Sequence, residues 1–186
     1  MADPRTLAAL VVTVAFWASA FAGIRAALAA YSPGSLALFR FLVASLVLLL
    51  YAIIRGVRPP DRKDLPFIFL SGFLGVALCH VSLNYGEITV TAGSASFLIG
   101  TVPIFATLLA ALILKEPLGI RKAIGIIVSF AGAMLITLGE GQRLKLSFDF
   151  GTALVLTSAF ALSIFFVLPK PYLLKYSAAE FMCYTM

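Results

Sequence analysis

A handful of polar side chains interrupt long apolar stretches, where such groups are costly and usually face a cavity or a partner. His80, Asn84 and Glu87 stand at i, i+4 and i+7, a spacing that lines them along one face of a helix. The strip can wall a solute path; in the alternative, His80 is an interhelical hydrogen-bonding residue and Glu87 a solvated helix end. Tyr85 falls on a neighbouring face and can line the same cavity or join an interfacial aromatic belt. Arg40 lies about six residues into its apolar run, roughly 9 Å along a helix at 1.5 Å per residue. At that depth a guanidinium can meet an anionic group, pair with backbone carbonyls or snorkel to headgroups. Trp17 sits mid-run, away from the interface where tryptophan concentrates; there it fills a core or forms a cavity wall. Ala92, Ser96 and Gly100 recur every four residues as a small-residue stripe that lets another helix approach. Pro103 removes the hydrogen bond to the Ile99 carbonyl and predicts a kink mid-run. Trp17, Arg40, His80, Asn84, Tyr85 and Ser96 are therefore the candidate substrate-binding residues, and Pro103 the candidate gating or kink residue.

The same residues do not assemble into a catalyst. His80 is the only histidine, and neither a Gly-x-Ser-x-Gly elbow nor His-Glu-x-x-His occurs. No G-x-x-x-x-G-K-[ST] loop is present for ATP. Cys79 and Cys183 sit in apolar segments with no metal-ligand spacing, which reads as two buried small hydrophobes. We expect no enzyme activity, no cofactor and no metal. All eight acidic residues fall in loops, tails or helix ends, so no carboxylate is expected at the membrane centre. Glu116 is expected to anchor a turn by pairing with Arg121 or Lys122.

The elements that must position these groups follow from composition. The 186 residues are 62% hydrophobic and 12% charged, against about a quarter charged in a soluble domain. Six apolar runs, at roughly 6–29, 34–54, 65–86, 91–114, 119–138 and 150–169, each approach the length of about 20 residues that spans a bilayer. They lack the alternation of a barrel, so helices are predicted. The first run is too long for a cleaved signal peptide and is read as a retained helix. Pro33-Gly34, Pro59-Pro60 and Pro117 punctuate the connections. The net charge of +6 is concentrated in alternate connections (Arg55, Arg58, Arg62 and Lys63; Lys115, Arg121 and Lys122; Lys170 and Lys175), while the fifth mixes Glu140, Arg143, Lys145 and Asp149. This bias predicts a cytoplasmic N-terminus. Without a basic stripe carrying interleaved aromatics, nucleic-acid binding is not expected.

The chain also repeats. Ala9-Leu10-Val11-Val12-Thr13-Val14-Ala15-Phe16 matches Ala153-Leu154-Val155-Leu156-Thr157-Ser158-Ala159-Phe160; Ser19 and Phe21 align with Ser163 and Phe165, and Tyr31-Ser32 with Tyr176-Ser177. A second copy that starts after five spans is inverted in the membrane, the arrangement of many secondary transporters. We expect one five-helix repeat over 1–139 and the start of an incomplete second over 150–186.

Phe16-Trp17-Ala18-Ser19-Ala20-Phe21, Ser32-Pro33-Gly34 running to Phe39-Arg40, Ala92-Gly93-Ser94-Ala95-Ser96-Phe97-Leu98, Pro103, Leu114-Lys115-Glu116-Pro117 and Ala131-Gly132 come in an order that resembles the EamA family of the drug/metabolite transporter superfamily, over essentially the whole chain. The second copy departs from the first in carrying Ala161 where Trp17 stands. The resemblance implies a ten-helix permease in the cell inner membrane, with a central cavity between two repeats and export or uptake of metabolites such as amino-acid-like or toxic organic compounds. It also implies that a second copy (a homodimer) or a missing second half completes the assembly. The fold class expected is thus an all-α integral membrane bundle, and the function a secondary transporter using alternating access. The alternatives are a non-transporting membrane scaffold or assembly subunit, and an intramembrane enzyme. The expected partners are a small-molecule substrate and the lipid bilayer. The lack of a membrane-embedded Glu in the first helix argues against a small-multidrug-resistance pump.

Overall fold

Apolar runs placed in lipid must satisfy their backbone internally, and those among the described residues do so as helices. The computed structural model describes residues 3–139 and 149–186, with no strand among them. Helix α1 covers Pro4–Ala27 and α2 Pro33–Arg55. The third passage runs without interruption from a 3₁₀ turn at Arg62–Asp64 through α3 (Leu65–Gly72), a π-helical turn (Phe73–Leu78) and α4 (Cys79–Gly86). The fourth divides into α5 (Ala92–Ile99) and α6 (Val102–Ile113); α7 covers Ile120–Gly139, α8 Phe150–Val167 and α9 Ala178–Thr185. Five stretches, Thr6–Ala27, Pro33–Arg55, Arg62–Gly86, Ala92–Ile113 and Phe150–Val167, are long and apolar enough to cross a membrane. The chain is an all-α, multi-pass membrane protein. The 20-residue α7 occupies the remaining expected run. Glu140, Arg143 and Lys145 lie outside the described residues.

Helix starts are set by side-chain caps. Ser32 accepts from the Ser35 amide at 3.2 Å ahead of α2, with Pro33 at the first helical position. Thr91 caps α5 through the Ser94 amide at 3.2 Å, and Asp149 caps α8 through the Thr152 amide at 2.8 Å. Ser177 and Glu180 form a reciprocal capping box on α9. At the other end of α2, Gly56 takes a left-handed conformation (φ 62°) and returns its amide to the Ala52 and Ile53 carbonyls.

Packing is centred on α8. Its Val155, Ser158, Ala159 and Ser163 have no exposed surface, and it packs against α4, the π turn, α5 and α6. By contrast Ile24 is the one buried residue of α1 among those described, while Leu7, Val11, Val14 and Phe16 are exposed. Two glycines set the closest approach between α4 and α8. A Cβ on Gly86 would lie 2.6 Å from Val155 Cγ2, and one on Gly151 2.0 Å from Thr89 Oγ1. The π turn holds a third such contact, since a Cβ on Gly75 would meet the Phe165 ring at 2.2 Å. The core that results joins Ile24, Leu36, Leu83, Val90, Ala95, Leu98, Val155 and Ala159.

The positions matched in sequence share local geometry. Thr13 and Thr157 each donate to the carbonyl four residues back, at 2.8 Å in both cases. Ser32 and Ser177 cap their helices with nearly equal backbone angles (φ −67°, ψ 150° and φ −64°, ψ 155°).

Candidate functional site

The fourth passage is broken rather than kinked. Helix α5 stops at Ile99 and α6 begins at Val102, with Pro103 in the first turn of the new helix. The missing proline N–H leaves the Ile99 carbonyl without its helical donor. Thr101 stitches the gap: its hydroxyl donates to the Leu98 carbonyl at 2.6 Å and its carbonyl accepts the Ile104 and Phe105 amides at 2.9 and 3.2 Å. From α8, the Ser163 hydroxyl lies 2.7 Å from the Ala159 carbonyl and 3.1 Å from that of Val102. One proton is thereby shared between its own helix and the start of α6.

A cavity of about 380 Å³ lies against this break, lined by Trp17 and Phe21 of α1, Ser96 of α5, Gly100, Pro103 of α6 and Phe166 of α8, among others. Its volume falls within the roughly 300–1,000 Å³ of small-molecule sites. Trp17 is 47% exposed, as a cavity-wall residue is, and Ser96 and Gly100 face this space. A second cavity of about 470 Å³ flanks the break on the side of α7, between Pro103, Thr107, Lys122, Gly125 and Phe130.

The remaining candidates stand elsewhere. Arg40 donates to Asn84 Oδ1 at 3.3 Å, and the Asn84 amide donates to the Pro33 carbonyl at 3.2 Å, so the pair ties α2 to α4. Asn84 is fully buried; Arg40 also borders a pocket of about 170 Å³ with Ala20, Gly23, Ile24 and Leu36. The His80 ring meets Phe41 edge-on at 5.8 Å, and its Nδ1 has no hydrogen-bond partner among the described residues. Tyr85 is exposed. The structure thus joins Trp17, Ser96 and Pro103 at one cavity and Arg40 with Asn84 at another place; the six do not form a single cluster.

For Glu87 the solvated-end alternative does not hold. It is not a solvated helix end but is wholly buried, and neither carboxylate oxygen has a hydrogen-bond partner among the described residues. The cause is the close Gly86–Gly151 approach, which draws the end of α4 under the start of α8. In this connection after the third span, burial pushes the carboxyl up to about 7, against the opposing pull of Arg25 and Arg40.

The basic connections hold ion pairs. Glu116 pairs with Lys122 at 3.4 Å, one of its two expected partners, and also with Lys170. Hydrogen bonding from Lys170 holds the Glu116 carboxyl below its ordinary range. Lys175 bonds Asp61 and Asp64, and Tyr176 Oη donates to Asp64 at 2.6 Å. These contacts, with Asp61 first, push the Lys175 ammonium above its ordinary range. Cys79 is buried, 3.3 Å from Ser158 Oγ; Cys183 is half-buried beside the Leu48 carbonyl. Ser158, Ser163 and the π turn escaped sequence reasoning as site elements. Ser163 had a signal in its match to Ser19, and the π turn in Gly72 and Gly75.

Residues 5–138 match the model of the EamA-like transporter family. The chain belongs to that family. This EamA-like protein is 46% identical over 93% of its length to the uncharacterized transporter YdfC of Bacillus subtilis, covering 56% of that relative. It is 39% identical over 96% of its length to a probable terminal-alkyne amino-acid exporter of Streptantibioticus cattleyicolor, covering 59% of it. An uncharacterized transporter of Archaeoglobus fulgidus is 37% identical over 90% of the chain, which covers 58% of that protein. The EamA-like chain therefore spans less than two thirds of the length of these relatives. No solved structure matches it.

Proposed function

We propose that the chain forms part of a secondary transporter that moves small metabolites across the cell inner membrane by alternating access. The observation that carries this reading is the cavity beside the broken fourth passage. It joins an aromatic wall, Trp17 and Phe21, to one hydroxyl, Ser96, and to a helix whose backbone ladder is interrupted. Discontinuous helices at a cavity are where transporters place substrate. The mostly apolar lining suits the apolar part of an amino-acid-like or toxic organic compound, and the name of the S. cattleyicolor relative points the same way.

In this reading α8 is the inverted counterpart of α1, opening a second repeat after 1–139. The equal threonine bonds and serine caps support it. The N-terminus is cytoplasmic, and the basic connections share that side. Arg40 and Asn84 hold the wall between α2 and α4 rather than touching the solute, and His80 packs beside them. The break at Gly100–Thr101 is the hinge. No ATP loop is present in the sequence, so an ion or solute gradient drives movement, and no reaction is catalysed.

The test is flux of a labelled amino-acid and organic-compound panel into proteoliposomes holding the full-length protein, compared with Trp17→Ala. Saturable, competable flux with an apparent affinity weakened about tenfold in the variant, as loss of roughly 1.4 kcal/mol of contact would give, is expected. A folded protein that moves no compound above empty liposomes would turn the reading toward a membrane scaffold.

A further inference from the structure

Glu87 sits where α1, α4 and α8 meet. The Arg25 guanidinium, from the last turn of α1, donates to the Glu87 backbone carbonyl, to that of Ile88 at 3.1 Å and to that of Val90 at 3.5 Å. Arg25 therefore caps the end of α4, while the Glu87 side chain has neither exposed surface nor a hydrogen-bond donor among the described residues. The charged and titratable groups towards this end of the surrounding elements are Arg25 of α1, Tyr31 between α1 and α2, Arg40 of α2, His80 and Tyr85 of α4, and Asp149 at the start of α8; Cys79 opens α4, and Tyr51 and Arg55 lie at the far end of α2. Asn84 already engages Arg40, and the Thr152 amide already engages Asp149.

An ionised carboxylate without donors in such a place carries a heavy desolvation penalty, whereas the neutral acid forfeits only one donated bond. A cavity of about 490 Å³, bordered by Arg25, Tyr31, Ser32, Pro33 and Glu87, adjoins the site. Both oxygens are sealed from anything the size of a substrate amine, and the adjoining cavity is wide enough to hold water. The ligand that fits is a proton.

We propose that Glu87 is a proton-binding site of this protein, neutral in the present conformation and ionised when the connection over residues 87–91 shifts and opens it to the adjoining cavity. On opening, the O–H bond breaks and the proton passes to cavity water. The negative charge stays on the carboxylate, where the neighbouring Arg25 guanidinium compensates it. Binding of the proton is independent of which solute the protein moves.

Infrared titration of the protein in lipid nanodiscs tests this without any substrate. The wild type is expected to show one protonated-carboxyl C=O band that titrates near neutrality, between roughly pH 6 and pH 8, well above an ordinary glutamic acid. The band is absent in Glu87→Gln and displaced in frequency in Glu87→Asp. Three results each overturn the proposal: a wild type with no carboxyl protonated above about pH 6, however the variants fold; a band that persists unchanged to alkaline pH; or the same band in a folded Glu87→Gln protein.

Discussion

Ser163 shows how much a single hydroxyl can do at a broken helix. A buried hydroxyl has to find an acceptor, and in lipid-embedded protein water is scarce. The Ser163 proton is within reach of both Ala159 and Val102 carbonyls, so it joins α8 to the first turn of α6. Ser163→Ala is expected to lower stability by about 1 kcal/mol, the usual net worth of such a bond, read as a lower melting temperature in detergent. Ser163→Thr, which keeps the hydroxyl, tests whether the proton or the volume matters. The sequence singled out this serine only as a repeat match. It marked Pro103 as the source of a freed carbonyl, but the two lie on helices whose proximity no local pattern encodes. The burial of Glu87 was not legible for a related reason. Its place at a helix end suggests water, and its burial comes from α8, more than sixty residues on.

At the scale of helices, local signals were legible. The six apolar runs and the breakers at Pro33 and Pro117 put the ends of the elements close to where the structure has them, and the structure adds the caps at Ser32, Thr91 and Ser177. The interruption of the fourth passage was legible as a proline, though as a bend rather than a gap, because Gly100 and Thr101 add their own departure from the ladder. The π turn was not legible. It accommodates Phe165 over Gly75, a contact decided by the partner helix. The pairing of Gly86 with Gly151 makes the strongest demand on any element. Gly151→Val is expected to destabilise by more than about 3 kcal/mol, since branching must displace backbone as well as the Thr89 side chain. Loss of the folded, monodisperse protein on size exclusion would register it. Gly125→Ala, at a position with open space around its would-be Cβ, is the matched control and leaves the profile unchanged.

For the whole molecule, the likeness of two segments could be read from the sequence but the way they pack could not. Similar segments, α1 and α8, make the same threonine bonds yet have opposite fates: one is largely uncovered and the other is enclosed. Composition cannot distinguish them, because burial in protein and contact with lipid both select apolar side chains. At the basic end, two groups of ion pairs join distant parts of the chain, Glu116 to Lys170 and Asp61 and Asp64 to Lys175. Lys175→Ala leaves the buried Asp64 carboxylate with only the Tyr176 hydroxyl donating to it. An uncompensated buried charge is destabilising, so the variant is expected to melt at a lower temperature at neutral pH. Asp64→Asn in the same background should restore part of the loss, and failure to do so would remove the ion pair from the account.

The enclosure of α8 bears on how the protein is made. A chain is delivered to the membrane from its N-terminus, so the first five passages arrive before α8 exists. Until it arrives, the furrow floored by Gly75 and Gly86 is unfilled, and the Val102 carbonyl lacks its donor from Ser163. The nascent bundle therefore waits with an open seam, which is filled only when translation has passed residue 150. An insertion factor or a membrane protease that surveys half-made chains meets this protein in its open form, and the sixth passage is what ends that exposure.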